Sequence, residues 1–108
     1  MENKTIYTLD GEKFAMILAD KTIPSGAKLL LFNLIYRLGG KDHAFPSQRR
    51  IADDIGLSER MVRYHLDLLR KRNILYWKRG AYNPRKKNML KANEYHLGRI
   101  LKRKEIEK

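Results

Sequence analysis

One run of regularly spaced apolar residues, broken at a single glycine, constrains this chain more than anything else in it. Between Arg50 and Leu75 the sequence reads IADDIGLSERMVRYHLDLLRKRNIL. Ile51, Ala52 and Ile55 fall three to four residues apart, the interval at which side chains share one face of a short helix. Gly56 ends that helix, because glycine takes positive φ just past a helix terminus without steric cost, and Leu57 tucks under the corner. Ser58 then suits the N-cap of a second helix, and Glu59 in the first turn complements the positive end of its dipole. Val62, Leu66 and Leu69 form the buried stripe of that helix, with Met61, Leu68 and Ile74 at its margins. Arg60, Arg63, Tyr64 and Asp67 are left outside. The spacing therefore predicts a helix, a tight corner, a longer helix with two guanidiniums and a phenol near its start, and the beginning of a strand.

Charge says what such an outer face would meet. Residues 1–59 hold eight Lys/Arg and eight Asp/Glu, whereas residues 60–108 hold sixteen against four, so the whole net charge of +12 begins at the second helix. A polyanion is the natural partner, since neutralising phosphates releases their condensed counterions. The plainer reading is a solvated basic face that serves solubility. At 108 residues the chain fits one small domain, which buries little more than about 60% of its unfolded surface and gains from a partner. It contains no cysteine, which excludes disulfides, thiolate metal sites and thiol catalysis and is compatible with the cytoplasm. With no secretory signal or membrane-spanning run, a soluble cytoplasmic protein without membrane contact is expected.

The remaining elements are less sharply written. Thr5 to Leu9 is strand-like, Asp10-Gly11 marks a turn, and Phe14, Met16, Ile17 and Leu18 form an apolar patch. An added strand, a short helix and a dimer arm all fit this segment. A helix from Gly26 to Leu38, with Ser25 as its expected N-cap, places Ala27, Leu30, Leu31, Leu34, Ile35 and Leu38 on a core face. Leu29, Phe32 and Tyr36 repeat on another side, so that helix should be covered twice, by the N-terminal patch or by a second subunit. Pro46-Ser47-Gln48 starts the next helix, and Ser47, Gln48 and Arg49 are candidates for phosphate contacts at its N-terminus; a plain capping role for Ser47 is compatible with this. Beyond the long helix, Ile74 to Arg79 and Asn93 to Leu97 have strand composition, with Tyr95 and Leu97 on one face. The cation-rich loop between them carries Arg79, Arg85, Lys86, Lys87 and Lys91, suited to the backbone or the minor groove. Tyr82 in that loop fits either a sugar or stacking contact or an anchor for the hairpin.

These residues resemble the helix-turn-helix of winged-helix proteins, of the MarR-like kind and of the phage and plasmid replication-initiator kind. Phe45-Pro46-Ser47 is similar to the FPS that opens the first helix of that motif, and Ser58 through Ile74 follows its second-helix pattern. The similarity runs from about Ile23 to Leu97. Asn73 stands where the family usually has Gly, a substitution the left-handed conformation tolerates. The resemblance implies an α+β, mainly α fold: a winged helix-turn-helix with three helices and a two- to three-stranded wing sheet. Residues 1–22 would form an N-terminal extension, 23–97 the winged-helix domain and 98–108 a basic tail or short helix.

The function expected is non-enzymatic, sequence-specific binding of double-stranded DNA. Ser58, Glu59, Arg60, Met61, Arg63 and Tyr64 would face the major groove, as a reading helix presents its N-terminal residues to base edges. Transcriptional control fits, and so does an accessory role at a plasmid or phage origin in replication, partition or conjugative transfer, by a homodimer or a cooperative assembly on DNA. The alternatives are a winged-helix protein-interaction module and an RNA-binding protein without base-specific DNA readout. Asp53 and Asp54 are helix neighbours that do not face each other, His43, His65 and His96 lack ligand spacing, and no cofactor or metal is expected.

Overall fold

The computed structural model describes residues 3–79 and 93–107. Strand β1 (Asn3–Leu9) and helix α1 (Gly11–Ala19) precede three helices, α2 (Ser25–Tyr36), α3 (Gln48–Ile55) and α4 (Glu59–Lys71). Strand β2 (His43–Ala44) lies between α2 and α3, and β3 (Tyr76–Arg79), β4 (Asn93–His96) and β5 (Leu101–Glu107) follow α4. The antiparallel sheet has the order β2-β4-β3, and β1 pairs with β5 in a separate two-stranded ribbon.

The helical core forms where the sequence periodicity places it. Ala27, Leu30, Leu31 and Leu34 of α2 are buried against Ile51 and Ala52 of α3 and Val62, Leu66 and Leu69 of α4. Tyr95 of β4, with Leu75 and Leu97 at the ends of β3 and β4, completes the same core. Alternation along β3 decides which aromatic goes inward: Trp77 pairs with buried Tyr95, whereas Tyr76 pairs with His96 on the outer side and is exposed. Tyr76 therefore faces away from the core.

The three helices expected of the winged-helix segment are α2, α3 and α4; α1 stands in the N-terminal extension, where a short helix is one of the options, and Asp10 caps it by accepting from the Lys13 N–H. Two expectations need correction. Ser25 is not the N-cap of α2. The extended Pro24 holds that position, and its carbonyl accepts from Ala27 and Lys28, which leaves Ser25 in the first turn. Residues 98–108 are neither helix nor tail over their described part: a single 3-10 turn at Gly98–Ile100 leads into β5.

The ribbon runs in register from Asn3 opposite Glu107 to Leu9 opposite Leu101. Two strands alone are marginal in water, and this pair is held because its inner end is part of the core. Leu101 is buried, Tyr7 and Leu9 pack against the same cluster, and the Tyr7 N–H donates to the Gly40 carbonyl at 2.8 Å. The first and last segments of the chain are thus one element, which joins the 1–22 extension to the 98–108 segment.

Candidate nucleic-acid interface

The corner between α3 and α4 is fixed by backbone geometry before any side chain matters. Gly56 sits at φ 72°, and both its N–H and that of Leu57 donate to the Ala52 carbonyl, closing α3 in a left-handed turn. Ser47 Oγ accepts from the Arg50 N–H at 3.0 Å and Ser58 Oγ from the Met61 N–H at 3.1 Å, so both helices start from side-chain caps. Asn73 takes the left-handed conformation at φ 59°, which turns the chain out of α4 toward β3.

Rigid anchoring of α4 on one side leaves the other free. Val62, His65, Leu66 and Leu69 are buried, while Glu59, Arg60, Met61, Arg63, Tyr64 and Asp67 are exposed. Arg60, Arg63, Tyr64 and Asp67 recur at helical spacing opposite the buried stripe, and Tyr64 keeps 57% of its surface. The Arg63 guanidinium also donates to Gln48 Oε1 at 3.5 Å, joining the first turn of α3 to the outer face of α4. Arg49 is exposed beside it. The hydrogen bond brings Gln48, a candidate for the backbone, beside Arg63, a candidate for the bases.

At the far end of α4 the cations have internal work. The Arg70 guanidinium lies 4.5 Å from the centroid of the Trp77 ring, a cation–π contact that ties the helix to β3. Arg72 donates to Thr22 Oγ1 at 2.8 Å and stands 3.6 Å from Asp20, which fastens α4 to the loop before α2. Hydrogen bonds from the Thr22 hydroxyl and N–H, with Arg72 beyond, hold the Asp20 carboxyl below the ordinary carboxylate range. Among the described residues, Lys71 alone of the three is turned to solvent without such a contact.

Arg79 is exposed at the end of β3, opposite Asn93. The other wing candidates, Tyr82, Arg85, Lys86, Lys87 and Lys91, lie outside the described residues. Across the outer side of the sheet the rings form a row: Tyr76 stacks on His96 at 4.8 Å, His96 on His43 at 5.5 Å, and Phe45 meets His43 edge-on. His43 pairs with Asp42 and His96 with Glu94, each at 2.9 Å, and these contacts hold both carboxyls below their ordinary values.

Two supports of the interface escape sequence reasoning. Asp54 receives the Arg37 guanidinium and the Asn33 amide from α2 and has Arg50 at 3.8 Å within its own helix. These donors, Arg37 first, lower its carboxyl from the ordinary range and fix how α3 lies on α2. His65 is buried in α4 against Gly26, where a Cβ would collide with its ring. The available signal was a histidine one residue before Leu66 on the core stripe, together with a glycine in the first turn of α2.

Among the described residues, no three His, Asp or Glu groups come together as a metal ion would require, and no helix is long and apolar enough to cross a membrane. No curated protein and no solved structure matches the chain. A helix-turn-helix domain model matches residues 21–75, the segment that contains α2, the α3–α4 corner and the turn at Asn73. That segment is half of the chain, and the protein belongs to the helix-turn-helix domain family of DNA-binding proteins.

Proposed function

We propose that this protein reads a specific double-stranded DNA sequence with the exposed face of α4. The reading is carried by one observation: Arg60, Arg63 and Tyr64 stand in water near the capped start of a helix whose opposite side is locked into the core. Arginine there suits bidentate donation to guanine, and the first turn of α3, with Ser47, Gln48 and Arg49, suits the flanking phosphates. Arg79 and the wing cations Arg85, Lys86, Lys87 and Lys91, with Tyr82, would grip backbone or minor groove. The protein would act in the cytoplasm by occupying its site, either as a transcriptional regulator or as an accessory factor at a plasmid or phage origin.

Selection of bound fragments from random and genomic DNA tests this directly. A recovered consensus supports the reading, and its position at promoters or at an origin decides between the two roles. Recovery of unrelated fragments, or of none, contradicts base readout and leaves the protein-interaction and RNA-binding alternatives.

A further inference from the structure

The N-terminal half of the molecule carries an apolar surface that the other described residues leave open. On α2, Leu29, Phe32 and Tyr36 are 50%, 59% and 81% exposed. They lie on the side of the helix opposite Ala27, Leu30, Leu31 and Leu34, so they point away from α4 and the DNA-facing surface. Helix α1 covers one flank only. Its Phe14 ring sits 6.2 Å from that of Phe32, and Lys28 Nζ donates to the Leu18 carbonyl at 2.7 Å, which holds the two helices side by side. Leu18 nevertheless remains 47% exposed and Met16 73%.

We propose that a second copy of this chain docks on this α1–α2 surface, forming a symmetric dimer that leaves both α4 helices free. Area and charge both favour that occupant. Since a whole aromatic side chain presents about 150–250 Å², Phe32 and Tyr36 leave roughly 300 Å² of ring in water. With Leu18 and Leu29 the patch reaches roughly 450–500 Å², within the range of the largest patches a monomer exposes. Two such faces in contact bury about 900–1,000 Å², close to the size at which a specific interface begins.

Charge agrees with that occupant. Residues 10–36, which form α1, α2 and the loop between them, hold three cations and three anions. Two copies meeting through these helices bring no net charge together. A two-fold contact of this kind is self-complementary, which suits a patch made of one kind of chemistry.

Sedimentation equilibrium of the full chain without DNA tests the proposal independently of what α4 binds. The mass should rise from one copy to two with concentration. Tyr36→Asp and Leu29→Lys should each weaken the association roughly 30-fold or more, as loss of an interface anchor does. Ile106→Lys, an exposed apolar residue on the ribbon, should leave it unchanged. Tyr36 and Leu29 are exposed, and circular dichroism checks that both variants remain folded. A wild-type chain that stays monomeric at all concentrations overturns the proposal, as does a dimer indifferent to both substitutions or one broken by Ile106→Lys.

Discussion

Gly26 owes its place to a side chain thirty-nine residues away. The His65 ring occupies the space a Cβ would need, so Gly26→Ala should destabilise the fold by about 1–3 kcal/mol through overpacking. In a His65→Ala background the same change should cost much less, and a double-mutant cycle by denaturant unfolding measures the difference. Burial also holds the His65 imidazole below its ordinary pKa of 6.5, and among the described residues its Nδ1 has no hydrogen-bond partner. The unfolded chain therefore takes up a proton before the folded one does. The stability this supplies is complete above about pH 6.5 and is lost as pH falls through the lower folded value. Denaturation midpoints should drop between neutral and mildly acidic pH, and His65→Gln should flatten that drop. Carboxyls lowered by their partners, Asp42, Asp54 and Glu94, act in a separate and more acidic window: their stabilisation is present above ordinary carboxylate values and lost further down.

At the scale of elements, what could be read in advance was what local chemistry decides. Ser47 and Ser58 cap their helices, Gly56 turns left-handed and Asn73 stands in for glycine, because each acts within four residues of itself. Ser58→Ala should accordingly cost roughly 1 kcal/mol of stability by thermal or denaturant unfolding, since the Met61 N–H loses its acceptor. Ser25 misled for an instructive reason: it has the right chemistry for a cap, but proline before it already fixes the extended backbone that a cap requires. The Asp54 contacts were illegible because they depend on how α3 crosses α2, which no spacing encodes. His65 was illegible for the same reason, since a polar residue on a core stripe is accommodated only by a gap on the facing helix. Segment 98–108 shows no period of its own, and its strand exists only because β1 lies against it.

Across the whole molecule, two ends and two halves matter. The ends meet in the β1–β5 ribbon, so Leu101→Asp, which places a charge beside Leu9 in the core cluster, should cost more than about 2 kcal/mol. A freely solvated tail would show no such loss on thermal unfolding. Along the ribbon, alternation puts Lys4, Lys102 and Lys104 on the side opposite Tyr7, Leu9 and Leu101, where they add exposed positive charge at the edge of the domain, while Arg103 lies on the Tyr7 side and pairs with Glu105. The halves differ in charge, and the division falls at the start of α4. The neutral half supplies most of the helical core, and the cationic half begins with the side chains proposed to read bases. The measurement that bears most directly on that division is equilibrium binding of Arg60→Ala and Arg63→Ala to the selected site and to a scrambled duplex over a salt series. Each substitution should remove roughly 1–3 kcal/mol of preference for the selected site, while the salt slope changes by less than about one phosphate contact. Unchanged preference in both variants would contradict base readout by α4.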